Sequence, residues 1–129
     1  FTHANFEELT DEEILEEINS TQKAIKTATD GYEPKTYRLP YGAGGKRAVD
    51  LIEGMTSIIW NVDSEDWVSD SAQEILTRVN ENLQDKSILL FHDSHEHLVP
   101  VLESLIPALQ AEGYEFVTPE EINYPYYYY

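Results

Sequence analysis

The run Ile88-Leu89-Leu90-Phe91 stops abruptly at His92-Asp93, and that change limits what this chain can fold into. Consecutive apolar residues bounded by polar ones read as a strand buried on both faces, the kind found in parallel sheets covered by helices. His92 then ends a strand on its C-terminal side. In α/β folds the crevice outside the carboxyl ends of the strands gathers ligands and chemistry, so an imidazole there is placed for proton transfer. A histidine that merely ends a strand fits the same residues.

The rest of the chain repeats this alternation. Thr10-Asp11-Glu12-Glu13 follows the capping-box pattern, with Leu9 placed to staple onto Ile14, and predicts a helix through Ile18, Thr21 and Ile25 that Gly31 caps. A short strand at 36–39 runs into the glycine-rich Pro40-Tyr41-Gly42-Ala43-Gly44-Gly45, where backbone must bend or approach a ligand. Ala48, Leu51 and Ile52 suit a short helix. Residues 55–62 form another apolar run, ended by the polar cluster Asp63-Ser64-Glu65-Asp66-Trp67. Ser71 and Glu74 open a second capped helix with Ile75, Val79 and Leu83 on one face. Beyond His92 a helix is expected over 97–111, with Pro100 in its first turn and Pro107 kinking it, followed by Gly113, a strand at 114–117 and a helical turn at 119–122. Residues 123–129 form a tyrosine-rich tail. Strands alternating with helices argue an α/β fold, a parallel sheet or barrel with right-handed crossovers.

Composition narrows the function classes. A chain of 129 residues with 41% hydrophobic content suits one domain with one core. Eight basic residues against 25 acidic ones give a formal charge of -17, which repels phosphate backbones, so nucleic acid is not an expected partner. There is no cysteine, hence no disulfide framework to argue from. No apolar run approaches the roughly 20 residues that span a bilayer as a helix.

Three of the polar clusters resemble motifs of the polysaccharide deacetylase family, the NodB-homology domain of metal-dependent carbohydrate esterases. Arg38-Leu39-Pro40-Tyr41-Gly42 is similar to its R-x-P-Y-G segment, Asp63-Ser64-Glu65-Asp66-Trp67 to its D-x-x-D-W segment, and Leu90-Phe91-His92-Asp93 to its L-x-H-D segment. His3-Ala4-Asn5-Phe6 resembles the stretch around the second histidine of the metal-binding H-S/T-x-x-H motif. The Asp63-Ser64 context is most like that of bacterial peptidoglycan deacetylases. The resemblance implies that residues 1–122 are the C-terminal part of a distorted parallel (β/α) barrel of the NodB-homology type. The family's N-terminal aspartate pair and the first metal histidine, four residues before His3, have no counterpart in these residues, so a missing N-terminal part of the same domain is an expected partner.

An acetamide is a poor electrophile, and its hydrolysis wants a polarised carbonyl, an activated water and an acid for the leaving amine. By resemblance, His92 is that acid and Asp66 holds its imidazole in the protonated, donating form. Arg38 would pair with the absent catalytic aspartate, and the backbone N–H of Tyr41 would donate to the developing oxyanion. Trp67 and Leu90, with Tyr41, would line the substrate pocket. His3 would be one ligand of a divalent metal, Zn²⁺ by the resemblance, although a Zn²⁺ site generally wants three protein ligands. The implied substrate is an N-acetylglucosamine polysaccharide, peptidoglycan or one like chitin, and the implied location is extracellular or at a bacterial cell surface. Each residue also has a plainer reading: Arg38 as a surface ion pair, Trp67 as core and Asp63 as a loop cap, while His95 and His97, close enough to suggest a second metal site, read rather as solvated surface groups. A catalytically silent sugar-binding module on the same fold, with Trp67 and Tyr41 as its platform, is the alternative to an enzyme.

Overall fold

The computed structural model describes residues 1–122; the tyrosine-rich tail lies outside the described residues. The chain divides into two compact units, 1–59 and 60–122. In each, two short parallel strands are accompanied by two helices.

In the first unit a 3-10 turn, Phe6–Glu8, precedes helix α1, Asp11–Ala28. The capping box forms in both directions: Thr10 Oγ accepts from Glu13 N–H at 3.3 Å, and the Glu13 carboxylate accepts from Thr10 N–H at 2.8 Å. These bonds satisfy amides that a helix start leaves open and fix where α1 begins. Its end differs from expectation. Thr29 is the C-cap, Asp30 takes the left-handed conformation, and Gly31, one residue further on, donates its N–H to the Lys26 carbonyl at 2.9 Å. An aspartate tolerates that conformation better than most side chains, which lets the glycine fall one place later.

Strand β1, Thr36–Tyr37, pairs in parallel with β2, Thr56–Ser57, and between them lie a 3-10 turn at Pro40–Gly42 and helix α2, Gly45–Leu51. Phe6, Ile14, Leu39, Ala48 and Ile52 form the core, with Leu9 and Ile18 packed against it. Gly44 is required there. Its φ is +116°, and a Cβ at that position would stand 2.9 Å from Phe6 Cβ and 3.1 Å from Ala48 Cβ. Arg47 of α2 binds the Asp11 carboxylate at 2.6 and 2.9 Å and the Leu9 carbonyl at 2.9 Å, tying the start of α1 to α2.

The second unit pairs β3, Val62–Asp63, in parallel with β4, Leu89–Leu90. The apolar run 55–62 is therefore not one strand: β2 and β3 belong to different pairs, separated by residues 58–61. Asn61 accounts for part of the break, since its side-chain oxygen accepts from Ile88 N–H at 2.7 Å in place of regular ladder pairing. Helix α3, Ala72–Asn82, starts at Ser71, whose Oγ accepts from Glu74 N–H, while Glu74 reaches Asp70 N–H rather than closing a full box. Helix α4, Leu98–Ala111, continues through Pro107, and Gly113 follows its C-cap with φ +95°. Ile75 and Val79 of α3 pack on Val101, Leu105 and Leu109 of α4, with Leu89 and Phe91 against them.

Two expectations fail here. Residues 114–117 form no strand among the described residues, and 119–122 form a hydrogen-bonded turn, Glu121 N–H to Thr118 O, rather than helix. Phe116 and Val117 are about half exposed. The aromatic and β-branched residues of Tyr114-Glu115-Phe116-Val117 favour a strand only where a neighbouring edge receives it, and among the described residues of this unit none does.

Candidate functional site

The residues singled out from sequence fall on both units: His3, Arg38 and Tyr41 on the first, and Asp63, Asp66, Trp67, Leu90 and His92 on the second.

In the second unit the parallel pairing of β3 with β4 sets Asp63 beside Leu90, so the loops leaving the two strands start side by side. The structure brings Asp66 and His92 together, 26 residues apart in sequence. One carboxylate oxygen of Asp66 lies 2.7 Å from His92 Nδ1, and the other accepts from His92 N–H, also at 2.7 Å. The Asp66 side chain has no exposed surface, whereas that of His92 is 34% exposed. Burial pushes the Asp66 carboxyl up, but the His92 ring and backbone N–H bonds, with the charges of His92 and His95, outweigh it and hold the group below the ordinary carboxylate range.

An ionised carboxylate only accepts, so Nδ1 must carry the proton and Nε2 is the nitrogen that gains or loses one. The contacts thus fix the tautomer of the imidazole and set a buried anion behind it, an arrangement suited to carrying a proton at Nε2. His95 packs edge-on against His92, ring centroids 5.9 Å apart.

The loop carrying Asp66 is built from local bonds. Asp63 accepts from Glu65 N–H at 2.9 Å, the loop-cap reading of that residue. Ser64, fully buried, accepts from Asp66 N–H at 3.3 Å. Leu90 is buried at 5% exposure, as the strand reading required, and Trp67 stands 55% exposed, so it is not core. An exposed indole on the loop that carries Asp66 offers a flat face suited to stacking.

In the first unit, Tyr41 occupies the middle of the Pro40–Gly42 turn with φ 59° and ψ 7°, a left-handed conformation rare for an aromatic residue. Gly42 N–H and Ala43 N–H close the turn on the Leu39 and Pro40 carbonyls, and neither bond uses the Tyr41 N–H. The Tyr41 side chain is 70% exposed. His3, also left-handed at φ 63°, sets its ring edge-to-face with Tyr41 at 4.8 Å between centroids. Glu17 of α1 steadies this segment, accepting from Thr2 N–H at 2.7 Å and Thr2 Oγ at 2.9 Å.

Among the described residues no group of three or more His, Asp or Glu side chains gathers as a metal site. His3 offers one imidazole, and one donor does not make up the three that a Zn²⁺ centre uses. The residues described here do not by themselves fit a metal centre.

Sequence reasoning passed over Arg78 and gave Ser64 no role of its own. Arg78 donates to the Ser64 carbonyl and to Ser69 Oγ, and pairs with Glu65 and Glu74. The one sequence signal was an arginine four residues after Glu74, in a chain with three arginines in all.

Comparison with known proteins accords with this geometry. The family model described as polysaccharide deacetylase matches residues 1–56. Peptidoglycan-N-acetylglucosamine deacetylase PgdA of Listeria monocytogenes is 37% identical over 120 residues, 93% of this chain and 25% of the relative. Peptidoglycan-N-acetylmuramic acid deacetylase PdaC of Bacillus subtilis is 30% identical over 123 residues, 95% of this chain and 26% of the relative. The chain thus spans about a quarter of the length of these curated relatives. The solved structure of T48 deacetylase with substrate superimposes with a TM-score of 0.87 at 34% identity, covering 95% of this chain and 60% of that one. The fold is accordingly α/β, part of a NodB-type deacetylase barrel. Motifs, fold and relatives agree that the chain belongs to the polysaccharide deacetylase family.

Proposed function

We propose that this chain contributes the acid half of an N-deacetylase that hydrolyses acetamido groups on an N-acetylglucosamine polysaccharide, with peptidoglycan as the substrate. The observation that carries the reading is the two-point hold of buried Asp66 on His92. When the tetrahedral adduct of the acetamide collapses, the C–N bond breaks toward nitrogen, and the departing amine needs a proton. His92 Nε2–H supplies it, while Asp66 compensates the imidazolium charge before transfer and fixes Nδ1 as the bound nitrogen. Tyr41 N–H is assigned to the developing oxyanion, Trp67 and Leu90 to the substrate pocket, and Arg38 to holding a carboxylate of the catalytic machinery.

Of the two peptidoglycan relatives above, the more similar is named for N-acetylglucosamine and the other for N-acetylmuramic acid, which favours glucosamine as the sugar. A divalent metal, Zn²⁺ by the family resemblance, belongs to the proposal with His3 as one ligand. On this reading the protein works outside the cell or at its surface, where peptidoglycan is, and residues 1–129 alone turn over no substrate.

Acetate release from peptidoglycan by the full-length protein tests the proposal. Release by the wild type, lost in His92→Ala, supports it. Saccharide binding with no release in either protein would establish the silent module instead.

A further inference from the structure

We propose that Arg78 is the positioning residue of the Asp66–His92 pair, gripping the 63–69 loop from α3 so that the carboxylate meets the imidazole in one geometry. The inference rests on the reading of His92 as the acid, and its premise is a loop that does not hold itself. Glu65, directly before Asp66, lies at φ 49°, a left-handed conformation that side chains rarely adopt. The bonds within the loop are short-range: Asp63 to Glu65 N–H, Ser64 Oγ to Asp66 N–H, and the Glu65 carbonyl accepting from Val68 N–H, Ser69 N–H and Ser69 Oγ. They shape the turn without anchoring it to a helix.

Arg78 supplies that anchor. Its Nη1 donates to the Ser64 carbonyl at 3.4 Å and to Ser69 Oγ at 3.1 Å, so one nitrogen touches both sides of the residue that carries the acid's partner. The same guanidinium lies 3.3 Å from the Glu65 carboxylate and 3.6 Å from Glu74, the residue one turn earlier on α3. At 28% side-chain exposure Arg78 is mostly out of water, where such contacts are screened less than on an open surface. A planar guanidinium reaches several acceptors in fixed directions, which the compact ammonium of lysine does not. Arg78 touches neither Asp66 nor His92 in these contacts. Its influence passes through Ser64 and Glu65, the two residues before Asp66.

The test uses the full-length protein labelled with ¹⁵N-histidine and follows solvent exchange of the His92 Nδ1 proton, which the Asp66 bond protects. Arg78→Met keeps the aliphatic stem and removes charge and donors, while Arg78→Lys keeps charge only. The expected result is exchange faster by about tenfold in Arg78→Met and intermediate in Arg78→Lys, with kcat lower by about tenfold and KM changed less than about twofold. Wild-type exchange and kcat in Arg78→Met would overturn the proposal. If Arg78→Met fails to fold, Ser69→Ala removes one acceptor of the guanidinium and leaves the helix intact. Exchange a few-fold faster in that variant supports the proposal, and unchanged exchange overturns it. A wrong reading of the reaction shows itself separately, as full turnover by His92→Ala, and leaves the exchange experiment to decide Arg78.

Discussion

Replacing Asp66 with asparagine tests the core of the site, because the substitution keeps the shape and removes the charge. In the wild type, two oxygens of a fully buried carboxylate face two N–H groups of His92, each at 2.7 Å. An amide has one oxygen. It can still accept from the His92 backbone N–H, but its NH₂ then faces Nδ1, and the ring must move its proton to Nε2 to avoid setting donor against donor. The fold survives at a cost of about 1–2 kcal/mol, the difference between charge-assisted and neutral bonds in a buried place.

The cost depends on pH with a definite sign. The folded carboxyl titrates below its ordinary value of 3.8. A depressed folded value means that the stabilisation is complete above the unfolded value and is lost as pH falls through the folded one, so the stability gap between wild type and Asp66→Asn should narrow as pH falls below about 4. Both tryptophans, Trp60 and Trp67, lie in the second unit, so urea unfolding followed by fluorescence reports on the part of the chain that holds the pair. A variant as stable as wild type at neutral pH, or a gap that stays constant into acid, would refute the reasoning.

Other substitutions probe other parts of the account. His92→Ala in the full-length protein should lower kcat by about a hundredfold or more with bound metal unchanged, measured by acetate release and metal analysis. Loss of metal together with activity would count against its role as the acid. Leu105→Ala, at a position 2% exposed between α3 and α4, should cost about 2–5 kcal/mol in urea unfolding. Gly44→Ala should cost more than about 1 kcal/mol, because the new Cβ meets Phe6 Cβ at 2.9 Å in a backbone conformation foreign to alanine. A melting temperature equal to that of wild type would show that the Phe6 turn gives way easily.

The helices were legible in the sequence because their start signals are local. Thr10 with Glu13, and Ser71 with Glu74, fix two N-termini within a few residues, and the amides they satisfy are the ones each helix opens with. Strands were less so. The apolar runs at 55–62 and 88–91 mark chain that is half-buried, with Ser57, Val62 and Leu90 fully so, and only Thr56–Ser57, Val62–Asp63 and Leu89–Leu90 pair as ladder, because pairing depends on a partner that a run does not name. Tyr114-Glu115-Phe116-Val117 failed for the same reason. Within the candidate site, the Asp66–His92 contact was legible through family motifs and not through spacing. The left-handed backbone at Tyr41 and Glu65 left no trace in residues other than glycine. Arg78 was missed because what it does is set by the loop that α3 carries it toward, 14 residues from Ser64.

The central claim, that Asp66 acts through His92 on the departing amine, is tested most directly by a double-mutant cycle in kcat. Wild type, Asp66→Asn, His92→Ala and the double variant are assayed in the full-length protein on one acetylated substrate. If the carboxylate works by holding and charging the imidazole, Asp66→Asn costs about tenfold or more when His92 is present and less than about twofold when it is already alanine. Costs that multiply independently would contradict the account, since Asp66 would then serve the reaction, or the fold, by a route that does not pass through His92.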